Sequence, residues 1–203
     1  WHEAMKLVVR TFKEQQRKES LGSYSFTRDC DRPTDSQINN GWGAPVKPVG
    51  LIVSSFRPSD DATQYGFLIP SNMFAVVSLR QLAEIEHKVY KNEAFAGECV
   101  ALANEVDAAI RKYGIFNHPV CGRIYAFEVD GFGNALCMDD ANVPSLLAAP
   151  YLGYCSFKDA IYQNTRKMIW SDNNPYFFKG KAGEGVGGPH VGLNYIWPMR
   201  ILM

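Results

Sequence analysis

Leu79-Arg80-Gln81-Leu82-Ala83-Glu84-Ile85-Glu86-His87-Lys88-Val89-Tyr90-Lys91-Asn92-Glu93-Ala94-Phe95 is the stretch on which the architecture turns. Leu79, Leu82, Ile85 and Val89 recur at helical spacing. Asn92 then offers a side chain suited to capping a new helix at Glu93. The first helix is expected to open after Pro70, with Ser71 or Asn72 as its cap, and to run to about Tyr90. Its first half is apolar nearly all round, which predicts deep burial. The second helix, Glu93 to about Tyr113, carries Phe95, Cys99, Leu102, Val106 and Ile110 on one face and stops at Gly114. Two long helices joined by so short a turn form an antiparallel hairpin.

Upstream of that hairpin lies Ser55-Phe56-Arg57-Pro58-Ser59-Asp60-Asp61-Ala62. Adjacent carboxylates repel, so one needs a cationic or hydrogen-bonded partner to stay ionised, or it keeps a proton. Arg57 is the nearby candidate partner. A carboxylic acid that keeps its proton is what a general acid requires. The competing reading is structural: Ser59, Asp60 or Asp61 caps a helix from about Ala62.

Further upstream, residues 2–20 read as an amphipathic helix with Ala4, Val8 and Phe12 in one row and Gly22 as its stop. Residues 23–50 are irregular, and a loop of that length is often functional. Tyr24 to Arg28 and Gly41-Trp42-Gly43 are the groups within it that a substrate would meet, or that anchor the loop.

Downstream, residues 123–136 change to a period of two around the turn residues Gly131-Phe132-Gly133-Asn134, which predicts a small β-hairpin. A second acidic pair follows, Asp139-Asp140, with Asn142 close behind; its structural role would be to cap a short helix at 145–148. A further helix is expected over 157–170. The glycine-rich tail spells GxGxxG at Gly183, Gly185 and Gly188, but Pro189 stands where a helix should open, so dinucleotide binding is not expected. The glycines instead suit close passage of backbone past another segment or a ligand, with His190 at the edge.

Composition narrows the function classes. The 203 residues carry 21 basic and 21 acidic side chains, and no Lys/Arg cluster suggests nucleic acid or an anionic membrane as partner. No apolar run approaches the length needed to cross a bilayer. The 5 cysteines and 4 histidines show no metal-ligand spacing, so free thiols are expected and no metal site is argued. Both ends read as interruptions, and the whole of 1–203 is expected to be part of one catalytic domain truncated at each terminus.

Taken in order, Phe56-Arg57-Pro58-Ser59-Asp60-Asp61-Ala62, Phe67-Leu68-Ile69-Pro70-Ser71-Asn72-Met73-Phe74-Ala75, Met138-Asp139-Asp140-Ala141-Asn142-Val143-Pro144-Ser145-Leu146-Leu147, Pro150-Tyr151-Leu152-Gly153-Tyr154, Gly187-Gly188-Pro189-His190 and Ile196-Trp197-Pro198-Met199 resemble glycoside hydrolase family 125. The resemblance covers nearly the whole chain from about Tyr24. It implies an all-α fold, an (α/α)6 barrel left incomplete by this chain and decorated by the small β-hairpin. It implies an inverting exo-α-1,6-mannosidase that needs neither metal nor cofactor and acts on a mannose-containing oligosaccharide or glycan. The general acid lies in the segment matching Arg57 to Asp61. Within that segment the acid is either Asp60 or Asp61; Asp61 is taken first, with Asp60 ionised and held by Arg57 or by backbone amides. The resemblance places the general base on a glutamate beyond the Trp-Pro-Met element. Inversion requires the two carboxyls to stand roughly 6.5–9.5 Å apart. Arg57, Arg28, Asp139, Asp140, Asn142 and His190 are the expected sugar-binding groups. Activity would then depend on the rest of the barrel, which is also the one protein partner expected. Two other readings stand beside this one: a non-catalytic carbohydrate-binding remnant, and a glucoamylase-like hydrolase.

Overall fold

A computed structural model describes residues 1–198; the final apolar run, 199–203, lies outside the described residues. The helical hairpin is present. Helix α2 spans Ile69–Ile85 and continues through one π turn, Glu86–Tyr90, before Lys91 takes a left-handed conformation. Helix α3 spans Glu93–Tyr113, and the Asn92 side chain accepts a hydrogen bond from the Phe95 amide at 3.2 Å. The two helices pack along their length through Met73, Val76, Leu79, Cys99, Ala103, Val106 and Ile110, all buried.

The N-terminus of α2 differs from expectation. It begins two residues before Ser71, with Pro70 in the first turn, where a missing N–H costs nothing. Asn72 is freed from capping and ties strand to helix instead. Its Oδ1 accepts from the Ile52 amide at 2.8 Å, and its Nδ2 donates to the carbonyls of Ile52 and Leu68, each at 2.9 Å. Helix α1, His2–Gln15, is shorter than predicted and turned. Met5, Val9 and Phe12 face the core, whereas Ala4 and Val8 are exposed. Its rotation follows from polar anchors at its end: Gln16 Nε2 donates to Gly50 O at 2.7 Å, and the Val53 amide to Gln15 O at 2.9 Å.

The all-α barrel is not what this chain forms. Among the described residues, seven strands in three antiparallel sheets stand beside four α-helices, so the architecture is mixed α/β. The physical reason lies in residues 115–136 and 177–186, whose backbone groups are satisfied by strand pairing rather than within helices. Strands β1 (Phe67–Leu68), β4 (Glu128–Val129) and β5 (Ala135–Leu136) make one sheet in the order β1-β4-β5. The expected hairpin at 123–136 is therefore half present. Its later part folds around Asp130, whose Oδ1 accepts from the Phe132 and Asn134 amides at 2.8 and 3.1 Å. Its earlier part, β3 (Gly122–Tyr125), pairs backwards with β2 (Ile115–His118).

Helix α4 (Ala160–Ile169) is capped by Asp159 and packs on β3, to which Thr165 is joined by a hydrogen bond from the Tyr125 amide at 2.9 Å. The glycine-rich tail makes a third hairpin, β6 (Phe177–Gly180) with β7 (Gly183–Val186), and among the described residues no strand-to-helix turn follows it. All five cysteines are free thiols.

Candidate active site

No helix begins at Ala62. The segment is a tight reversal closed by a Phe56–Ala62 bridge. Within it the Arg57 amide donates to Asp61 O at 2.8 Å and the Asp60 amide to Arg57 O at 3.0 Å. Asp60 takes φ +69°, a left-handed conformation that aspartate tolerates better than most residues and that cannot start a right-handed helix. The Ala62 amide is given to Thr34 O at 2.7 Å, in the long irregular segment. The capping reading is thereby excluded. The reversal also separates the acidic pair: Asp60 is exposed at its tip, whereas Asp61 is 1 % exposed.

Arg57 does not pair with either aspartate. Its Nε donates to Glu128 Oε1 at 2.6 Å, with Phe127 beneath the guanidinium at 5.4 Å. The other Glu128 oxygen accepts from the Gln64 and Tyr65 amides at 2.8 and 3.1 Å. This buried pair pins the reversal to the β1-β4-β5 sheet and leaves Glu128 no lone carboxylate oxygen for chemistry. Arg57 Nη2, buried, has no hydrogen-bond partner among the described residues.

The second acidic pair also divides. Asp139 faces inward, and its two oxygens accept from the Leu146 and Leu147 amides at 2.9 and 3.1 Å, so it caps the turn that follows. Asp140 faces Asp61. Ser59 stands between them, its hydroxyl donating to Asp140 Oδ2 at 2.7 Å and lying 3.3 Å from Asp61 Oδ2. Asp140 Oδ1 accepts from the Asn142 amide at 3.1 Å, which places Asn142 at the edge of the cluster.

The tail closes the site because glycine lets it. The Ala141 amide donates to Gly187 O at 3.0 Å, and the Gly187 amide to Tyr176 O at 2.9 Å. A Cβ at Gly188 would stand 2.9 Å from Asp140 Oδ1, and one at Gly187 only 2.0 Å from Tyr195 O. Two residues beyond, His190 brings Nδ1 to 3.6 Å from Asp61 Oδ1, beyond hydrogen-bond reach. Both atoms are buried without a hydrogen-bond partner among the described residues. The His190 carbonyl is held by Arg32 Nη2 at 3.0 Å. Burial raises the Tyr176 hydroxyl above its usual pKa; Arg57 opposes this, while Asp140 and Asp61 add to it. These opposing influences place the ring in the field of all three groups.

The structure thus brings together Asp61, Asp140, His190, Arg57 and the edge residue Asn142. Asp139 is a cap and Asp60 is a turn tip. Arg28 is engaged elsewhere: its Nε donates to Asp35 O at 2.8 Å, and Nη2 lies 3.5 Å from Asp35 Oδ2. Ser59, Glu128 and Tyr176 escaped the sequence reading as site residues. Glu128 carried a signal, since it was the one charge between Ile124 and Val129 in the alternating run. Ser59 sat inside the motif but looked like a cap. Tyr176 lies in no motif.

The sequence matches the family described as metal-independent alpha-mannosidase (GH125) over residues 1–203. It is 41 % identical over 213 residues to the meiotically up-regulated gene 157 protein of Schizosaccharomyces pombe, covering 100 % of this chain and 42 % of that protein. It also resembles a solved metal-independent α-mannosidase of Streptococcus pneumoniae, captured in a non-productive complex with α-1,6-mannobiose. That match has a TM-score of 0.93 and 45 % identity, and covers 97 % of this chain and 46 % of that one. The chain spans less than half the length of either relative.

Proposed function

Because the chain belongs to the metal-independent α-mannosidases of glycoside hydrolase family 125, we propose that the Asp61–Ser59–Asp140–His190 cluster is the proton-donating half of an exo-α-1,6-mannosidase that works with inversion. Asp61 is the general acid. Its proton passes to the glycosidic oxygen as the bond from the terminal mannose C1 to that oxygen breaks. A water attacks C1 from the opposite face of the ring, and its proton goes to a carboxylate general base, leaving β-mannose. The resemblance assigns the base to a glutamate beyond this stretch. Glu128 is unsuited to the part because Arg57 and two amides hold its oxygens.

The observation that carries this reading is the asymmetry around Ser59. A hydroxyl has one proton to give, and the 2.7 Å contact directs it to Asp140, which also receives the Asn142 amide. Asp140 is thereby stabilised as an acceptor. Asp61 keeps only the 3.3 Å contact on one oxygen, and its Oδ1 is left without a partner among the described residues. Two carboxyls set apart by environment suit two different roles. Asp140, Asn142, His190 and Arg57 Nη2 are the groups proposed to orient the terminal mannose, Asp140 by accepting hydrogen bonds from its hydroxyls. The α-1,6-mannobiose bound by the pneumococcal relative supports that disaccharide as the substrate to try first.

The test is kcat/KM of the full-length protein on α-1,6-mannobiose. Asp61→Asn should lose at least about 100-fold, the lower end for a positioned acid, while Asp60→Asn stays within a few-fold of wild type. Equal losses at both positions would remove Asp61 from its role. No turnover by folded wild type would remove the mannosidase reading itself.

A further inference from the structure

Arg17 stands just past the end of α1, in a position that its backbone disfavours. It takes φ +54°, with its amide given to Glu14 O at 3.0 Å. Left-handed positions after a helix usually fall to glycine. Its side chain nevertheless turns inward and is only 6 % exposed. One nitrogen is occupied within the fold, since Nη1 donates to Trp42 O at 2.9 Å and so fastens the irregular loop to the helix. The other two, Nε and Nη2, are buried without a hydrogen-bond partner among the described residues.

Those two nitrogens form the side-on edge of the guanidinium. Their parallel N–H bonds match the two oxygens of a carboxylate. Arg17 lines a cleft of about 370 Å³ together with Leu21, Asn39, Trp42, Pro45, Val46 and Pro48, and among the described residues it is the single charged one there. Nearby acids are engaged elsewhere: Glu14 accepts from the Ser23 hydroxyl at 2.7 Å, and Glu105 pairs with Lys18 at 2.5 Å. Burial pushes the guanidinium's pKa below its ordinary value, with no carboxylate acting against the shift. A buried cation with two of its three nitrogens unpartnered is costly unless something else completes it. The cleft is also within the size range of small-ligand sites.

We propose that the Nε/Nη2 edge of Arg17 is a receptor for a carboxylate carried on an apolar body. Trp42, the prolines and Leu21 take the apolar part, and Asn39 stands at the rim. The carboxylate comes either from a soluble acid or from an Asp or Glu side chain of a longer polypeptide. The two sources share one chemistry and are told apart by experiment.

The experiment uses the full-length protein with benzoate as probe. Benzamide at equal concentration and fixed ionic strength is the neutral control. A soluble-ligand site predicts a saturable rise in unfolding temperature with benzoate and none with benzamide. It also predicts at least a tenfold weaker response in Arg17→Lys, which keeps the charge but loses the planar edge. Occupation by the protein's own carboxylate predicts no benzoate effect and a sharp Arg17 Nε–Hε resonance, slow to exchange before any probe is added. The proposal is overturned if benzoate and benzamide act alike and that resonance exchanges as fast as the one from exposed Arg10. Both wild-type readouts decide the matter even where an Arg17 variant fails to fold.

Discussion

Asp61 Oδ1 and His190 Nδ1 face each other at 3.6 Å, each buried and neither hydrogen-bonded to any described residue. Residues 129 positions apart in the chain are brought this close by two short devices, the Arg57–Asp61 reversal and the glycine-lined passage of the tail past Asp140. A buried polar atom left unpaired calls for a reason. A sugar oxygen bridging the two groups would satisfy both.

His190 is therefore expected to position the acid and the sugar. In the full-length protein, the proposed mannosidase role predicts that His190→Ala lowers kcat/KM on α-1,6-mannobiose by up to about 100-fold, the scale of a misplaced reacting group. Arg32→Met removes only the 3.0 Å hydrogen bond to the His190 carbonyl and should cost less. Steady-state kinetics of both variants gives the ordering, and a larger loss in Arg32→Met would contradict it.

Arg57 and Glu128 form an ion pair in which both side chains are almost wholly buried. Breaking one side leaves an uncompensated charge, so Arg57→Met is expected to destabilise by about 3–5 kcal/mol. The double variant Arg57→Met, Glu128→Gln should recover part of that loss. Urea unfolding measures both, and full additivity would deny the coupling.

Gly188 tests the glycine passage. Alanine there would place Cβ 2.9 Å from Asp140 Oδ1, the end of a side chain that can swing aside. Gly188→Ala is expected to fold with little loss of stability and to lose activity as Asp140 is displaced from Ser59. Gly187→Ala would meet the Tyr195 carbonyl, which is backbone, and should fold poorly. Melting temperature and kcat/KM separate the two effects.

Asp130 supplies a pH dependence. Burial raises its carboxyl's pKa, but hydrogen bonds from the Asn134 side chain and the Phe132 and Asn134 amides outweigh it, and the net shift is downward. A group whose folded pKa is depressed stabilises above its unfolded value and loses that stabilisation as pH falls through the folded one. Asp130→Asn should thus cost on the order of 1 kcal/mol near neutrality. The gap from wild type should narrow below the ordinary aspartate value of 3.8. Unfolding followed across that range checks the sign, and a gap that widens in acid would contradict it.

The sequence made some of this legible and hid the rest for physical reasons. Helices α2 and α3 were readable because Leu79, Leu82 and Ile85, then Phe95, Cys99 and Leu102, keep a 3.6-residue period, and because Asn92 caps locally. Asp61, Asp140, Asn142 and His190 were readable as a set only through long motifs, since no spacing rule joins residues so far apart. The Arg57–Glu128 pair was hidden for the same reason, and the aspartates beside Arg57 drew the wrong assignment. The β6–β7 hairpin had no side-chain alternation to announce it, as Gly183-Glu184-Gly185 pairs through backbone alone. The all-α expectation failed on such segments. Helix α1 turned because Gln15 and Gln16, not its apolar row, fix its end.

The most direct test of the central claim follows the anomer released from α-1,6-mannobiose by the full-length protein, using proton NMR at early times with EDTA present. Asp61 as the acid of an inverting, metal-independent reaction predicts that β-mannose appears first, persists in EDTA, and is lost in Asp61→Asn but not in Asp60→Asn. α-Mannose appearing first, or release undiminished in Asp61→Asn, would contradict it.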